Sequence, residues 1–287
     1  MNTSAHLRRD AEALTGALPA LFAVADRLAA NVHIGVHGRK HAGTGESFWQ
    51  YRQAMPGDEL ARVDWRRSAR SDTVYIREQE LESAHTVAIW CDNAQSMAYM
   101  GKNMRARLLA LALSILLSNA GERIALPGTI AGMPRMGTAH LHRITQALSA
   151  AVIDPVDYGH APGFGNIKAA RSVFLSDFLG PEKTVFPALK AAAARAGTGC
   201  LVQIIDKTEE DFPFDGRIKF ESMGGGISFE THRAKALKEA YHERFAARSA
   251  ALADFAREHG WHYQKHHADG RPQAALLWLY QVIGQQA

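Results

Sequence analysis

An apolar run, Thr86-Val87-Ala88-Ile89-Trp90-Cys91, delivers the polar segment Asp92-Asn93-Ala94-Gln95-Ser96. A buried strand that stops at Asp-x-Ser-x-Ser is one way an α/β fold builds a divalent-metal site. It brings carboxylate and hydroxyl oxygens to one edge, and Mg2+ takes octahedral oxygen ligation while keeping several waters. Here Ala94 stands where the first hydroxyl belongs. Two more apolar runs end in acids: Val173-Phe174-Leu175-Ser176 in Asp177, and Leu201 to Ile205 in Asp206. A second polar constellation surrounds Trp65, with Arg52, Asp58, Asp64, Arg66 and Arg70 as its charged members. Arginines beside an aromatic suit phosphates or single-stranded nucleic acid. The interleaved Asp58, Glu59, Asp64, Asp72, Glu78, Glu80 and Glu82 instead favour Arg–carboxylate pairs that organise a small folded module.

The elements that must position these residues follow from periodicity. Leu7, Ala11, Leu14, Leu18, Leu21, Phe22, Ala25 and Leu28 recur at helical spacing, so residues 4–30 read as an amphipathic helix interrupted at Pro19. Gly38 to Glu46 is glycine-rich and basic but lacks a Gly-Lys-Ser/Thr ending, and it reads as a surface loop. Beyond His85, strands are expected at 85–92, 123–126, 172–177, 200–205, 217–221 and 261–267. Helices are expected at 102–119, 138–151, 182–196, 233–258 and 273–285. Continuous apolar strands alternating with helices predict an α/β fold: a doubly wound, mainly parallel sheet with helices on both faces. Ligands of such sheets bind beyond the carboxyl ends of the strands, where strand order reverses. The expected organisation is an N-terminal helix (1–30), an Arg/Asp-rich extended module (31–84) and the α/β domain (85–287). The acidic stretch Asp206 to Asp211 reads as a solvated loop able to receive a basic partner.

Composition narrows the function classes. Hydrophobic residues make up 47% and charged residues 22% of the 287, as in ordinary globular proteins. The net charge of +4 comes from interleaved signs, so nucleic acid is not an expected partner. The most apolar run, Leu108 to Leu117, is about half the length of a membrane span, and no membrane partner is expected. Arg8, Arg9, Asp10 and Glu12 rule out a signal-peptide core at the start of the sequence, and Cys91 and Cys200 read as free thiols in a reducing compartment; the expected location is the cytoplasm. His262, His266 and His267 share a predicted strand with no cysteine nearby, so zinc is not expected. There is no Gly-x-Ser-x-Gly, His-Glu-x-x-His or Cys-x-x-Cys motif.

Several motifs together resemble domain-of-unknown-function family 58, whose members have a von Willebrand factor A-like fold. They are Gly43-x-Gly45-x-x-Phe48, Arg52-x-x-x-Pro56-Gly57-Asp58, Val63-Asp64-Trp65-x-x-Ser68-Ala69-Arg70, Tyr75-x-Arg77-Glu78, Asp92-x-x-x-Ser96-Met97, Ser176-Asp177-Phe178 and Pro213-Phe214-Asp215-Gly216-Arg217. The resemblance implies that Asp92, Ser96 and Asp177 match the first, third and last positions of a metal-dependent adhesion site, with Asn93 and Gln95 shaping its loop and Asp206 beside it for a partner. The middle-loop threonine has no clean counterpart; Thr138 follows a glycine and opens a helix. With Ala94 the site is degenerate: no cofactor is required, and any Mg2+ or Mn2+ is held weakly. The resemblance further implies a non-enzymatic adaptor acting with a MoxR-type AAA+ ATPase in assembly or maturation of a client complex. Two alternatives stand beside it, a metal-assisted hydrolase at the same sheet edge and a weak nucleic-acid binder using the Arg-rich module.

Overall fold

The structure, a computed structural model, describes residues 26, 29, 42–70, 73–80, 85–161, 167, 169, 171–225 and 228–284. Asp26 and Ala29 are helical; the rest of the helix expected over 4–30 lies outside the described residues. The chain divides into two compact units, one of Gly35–Ala84 and one of Met1–Ile34 with His85–Gln286.

In the smaller unit, β1 (Ala42–Gln53) pairs antiparallel with β2 (Tyr75–Glu80), with Tyr51 opposite Arg77. Residues 42–46, expected in a loop, therefore begin a strand, and its register shifts between Gly43 and Phe48 and again before Gln50. The connection turns at Met55-Pro56-Gly57-Asp58, where Asp58 N donates to Met55 O at 3.1 Å and Gly57 has φ +103°. Proline presets the first central position of this turn, and glycine alone takes the second without strain. The Asp58 carboxylate locks the turn, accepting from Met55 N (2.6 Å) and from both terminal nitrogens of Arg52 (2.7 and 2.6 Å). Asp64 caps the short helix α1 (Trp65–Ser68) by accepting from Arg67 N, and also accepts from the Tyr51 hydroxyl at 2.9 Å. The Arg67 guanidinium lies 4.3 Å from the Tyr51 ring centroid and 5.2 Å from that of Tyr75.

The larger unit is a doubly wound α/β structure. Strands β3 (Thr86–Cys91), β4 (Arg123–Ala125), β5 (Arg171–Ser176), β6 (Thr198–Ile205) and β9 (His262–His267) form a parallel sheet in the order β4-β3-β5-β6-β9. Period-2 alternation divides their side chains between two cores. Val87, Ile89, Val173, Leu175, Val202 and Ile204 face one core with α2 (Lys102–Asn119), α3 (Thr138–Ser149) and α7 (Pro272–Gly284). Ala88, Trp90, Phe174 and Leu201 face the other with α4 (Glu182–Ala193) and α6 (Lys238–Glu258). Helix α2 is apolar on nearly every side because α3 and α7 cover what the sheet does not. Among the described residues no helix is long and apolar enough to cross a membrane.

Two sequence expectations change here. The strand expected at 217–221 is not in the parallel sheet: β7 (Ile218–Glu221) pairs antiparallel with β8 (Ser228–Thr231) as a separate hairpin. Ile218-Lys219-Phe220-Glu221 alternates apolar and charged residues, so it has one face to bury, whereas a central parallel strand needs two. The acidic stretch expected as a solvated loop is a helical turn, α5 (Lys207–Asp211), closed by a capping box between Asp206 and Glu209.

Candidate functional site

Strand order reverses between β3 and β5: the chain leaves β3 for β4 on one side, then returns past β3 to build β5, β6 and β9 on the other. The crevice beyond the carboxyl ends of β3 and β5 is thus where sheets of this kind bind their ligands. Asp92 follows β3 and Asp177 follows β5, and both are buried at 1% exposure. Three loops at this edge hold non-glycine residues in the left-handed region: Met100 (φ 45°), Phe178 (φ 54°) and Phe212 (φ 44°). Such conformations cost of order 1–3 kcal/mol each and persist where the surroundings over-determine them, commonly at binding sites.

Each aspartate oxygen has an internal donor. Asp92 Oδ1 accepts from Ala94 N (2.9 Å) and Oδ2 from Ser176 Oγ (2.6 Å), while Ser176 Oγ accepts from Phe178 N (2.9 Å). Asp177 Oδ1 accepts from Leu179 N (3.1 Å), and Oδ2 takes the Lys102 ammonium at 3.0 Å. Lys102 also donates to Glu209 Oε1 at 2.6 Å, and Glu209 Oε2 accepts from Asp206 N at 2.8 Å. The Lys102 side chain is 0% exposed and that of Asp177 1%. Burial alone would lower the lysine pKa, but the carboxylates of Asp177 and Glu209 hold it above its ordinary value. Burial pushes the Asp92 carboxyl up to about 6, and the neighbouring Asp177 carboxylate adds to the rise against the opposing hydrogen bonds of Ser176 and Ala94. Gly159 closes over this carboxylate so tightly that a Cβ there would lie 2.1 Å from Asp92 Oδ1.

The family model described as "Protein of unknown function DUF58" matches residues 50–251, more than half of the chain. The chain belongs to the DUF58 family. It is 27% identical over 240 residues to an uncharacterised protein of Mycobacterium tuberculosis and to one of Mycobacterium bovis, covering 77% of this chain and 73% of each relative. No solved structure matches it.

In this DUF58 protein the sheet edge brings Asp92 and Asp177 close enough to interact, with Ser96 in the loop after β3, but not as three open oxygen ligands. Ser96 is buried and its Oγ has no hydrogen-bond partner, the one feature that would suit a metal. Against it, the aspartate oxygens are engaged, and the Lys102 ammonium already sits against Asp177. A dication beside that ammonium would meet direct repulsion in a buried, weakly screened place. The residues present do not fit Mg2+ or Mn2+; the cation of this site is a side chain of the protein itself.

The other expected residues are placed as follows. Asn93 Nδ2 donates to Val152 O, and its Oδ1 accepts from Arg107 Nη2 (2.7 Å). Gln95 is half-buried, its backbone N–H held by Val156 O, and Thr138 lies exposed at the start of α3. Asp206 spends its side chain capping α5: partial burial would raise its pKa, but hydrogen bonds from Thr208 hold it below the ordinary value. Arg52 and Asp58 pair, and Asp64 caps α1, whereas Trp65, Arg66 and Arg70 are exposed, the two arginines lining a cleft of about 500 Å3 with Tyr51, Asp64, Arg67 and Tyr75. Cys200 is buried and Cys91 half-buried, and both are free thiols.

Sequence reasoning missed Lys102, Ser176 and Glu209. One signal was present: a lysine in the first turn of a helix lies at the positive end of the helix dipole, where a cation is disfavoured unless carboxylates compensate it. Glu209 carried its signal at the third position of a capping box, which turns it back toward the sheet edge.

Proposed function

We propose that this DUF58 protein is a non-enzymatic interaction adaptor that works without a metal at its sheet edge. The observation that carries the reading is the buried Lys102–Asp177–Glu209 cluster: an internal ammonium takes the place of an exchangeable cation and leaves the edge a rigid, preformed surface. A hydrolase at this edge would need a carboxylate or hydroxyl free to act as base or nucleophile toward a substrate. Asp92 and Asp177 are instead each held by two donors.

Beside the cluster, Phe212, Phe214, Phe220 and Tyr241 pack into an aromatic wall of a cleft of about 640 Å3, at whose lining Met223 (49%) and Phe229 (54%) are exposed. Apolar surface rimmed by polar groups is where a protein partner docks. We take that partner to be a MoxR-type AAA+ ATPase, as the family resemblance suggests, with assembly or maturation of a client complex in the cytoplasm as the outcome.

Two experiments test this. Tagged chain should co-purify with the MoxR-type ATPase of its own organism in at least one nucleotide state, and Phe229→Asp should weaken the association; no association in any nucleotide state overturns the adaptor reading. Calorimetry with Mg2+ and Mn2+ should show no saturable binding to the wild type at millimolar metal and a gained site in Lys102→Ala. Saturable, Asp92-dependent binding to the wild type would reinstate a metal site.

A further inference from the structure

A different cavity, of about 790 Å3, opens on the other side of the same sheet edge, between the end of β3, helix α2, the turn after β4 and the end of α3. Its unusual member is Arg107. The side chain is buried at 5% exposure, yet among the described residues it makes no ion pair. Its Nη2 donates to Asn93 Oδ1 at 2.7 Å and to Ala151 O at 2.8 Å, while Nε has no acceptor. Two neutral acceptors orient the guanidinium but leave its charge uncompensated.

Among the described residues no carboxylate is paired with Arg107, although Asp92 and Asp154 both line the cavity. Cys91, a half-buried free thiol, also lines the cavity and is no carboxylate. Asp92 has both oxygens held by Ala94 and Ser176, and Asp154 is exposed. Buried charges in folded proteins are paired or meet a ligand, because an isolated one is strongly unfavourable. A buried, oriented arginine with an unpaired donor, lining a cavity, suits an anion. The remaining walls are mixed: Leu126 and Leu148 are buried and Ile130 is exposed at 64%, beside the polar Thr129, Gln146 and His160. The volume falls within the roughly 300–1,000 Å3 of small-molecule sites.

We propose that this cavity binds a small organic anion, its carboxylate or phosphate paired with Arg107 and its apolar body against Leu126, Ile130 and Leu148. The planar guanidinium fork matches both headgroups, which the test separates. Full-length protein is titrated with benzoate, phenyl phosphate and, as a neutral control, benzyl alcohol, followed by calorimetry and thermal shift. One of the two anions should bind saturably and identify the headgroup, while benzyl alcohol should not. Arg107→Gln, which can still reach neighbouring acceptors, should weaken binding by about tenfold to a hundredfold, the usual effect of removing a charge-assisted contact. Ala150→Trp, at an exposed residue of the lining, should remove binding and keep the fold, so the test stands if Arg107→Gln does not fold. Asp154→Asn should tighten binding by removing a like charge. Failure of both anions to bind, or binding indifferent to Arg107→Gln and Ala150→Trp alike, overturns the proposal.

Discussion

Both units of this protein contain a cluster in which a basic side chain meets carboxylates, and the two clusters work differently. In the smaller unit the Arg52 and Asp58 side chains are 31% and 21% exposed, and their bidentate pair closes a tight turn. In the larger unit Lys102 is fully buried between Asp177 and Glu209, which are 1% and 15% exposed. Water screens the first pair, so its value is mainly geometric. The second has lost its water, so each member depends on the others, and removing one strands the remaining charges. Burial, more than residue type, separates a pair that trims a turn from one that fixes a sheet edge.

The comparison is broken most sharply by Lys102→Met, which leaves Asp177 and Glu209 buried and unpaired. A loss of about 3–5 kcal/mol is expected in urea unfolding at neutral pH; a loss below about 1 kcal/mol would mean that the cluster is no more than a surface pair. Next comes Asp92, whose folded-state pKa of about 6 lies above the ordinary unfolded value. The folded state holds this proton more tightly, so the carboxyl subtracts stability as pH rises from about 4 to about 6, reaching about 3 kcal/mol above that window. Wild-type stability should therefore fall relative to Asp92→Asn across that range, and a constant difference would contradict the buried-carboxyl account. Gly159→Ala drives a methyl into the Asp92 carboxylate and should cost about 1–3 kcal/mol in thermal denaturation. The smallest effect belongs to the other cluster: Arg52→Ala should cost about 1 kcal/mol or less, read as faster amide exchange around Met55–Asp58, because Asp58 still accepts from Met55 N.

The sheet was legible because its strands must be apolar on two faces: Thr86–Cys91, Arg171–Ser176 and Thr198–Ile205 lie within a residue or two of the expected spans. The start of α2 at Lys102 also matches the expected helix at 102–119, and Gly101 just before it lies in the left-handed region. The β7–β8 hairpin was misplaced because a short alternating segment does not reveal its pairing partner. At the candidate site, Asp92 and Asp177 could be picked out because each follows an apolar run, and their bonds to nearby loop backbone (Ala94 N, Leu179 N) are of the local kind a sequence suggests, but their distant partners Ser176 and Lys102 could not be.

By itself the sequence determined the family, the alternation of strands and helices, and the arrival of acids at the carboxyl edge of the sheet. Local chemistry is sufficient for these: period-2 and helical spacing, a Pro-Gly turn, an acid after a buried strand. Only the tertiary structure decided what those acids do, because Lys102 meets Asp177 and Glu209 across separations of 75 and 107 residues. The same folding buries Arg107, which makes no ion pair among the described residues, beside the site. Partners so distant are chosen by strand order and helix packing, and no local pattern encodes the choice.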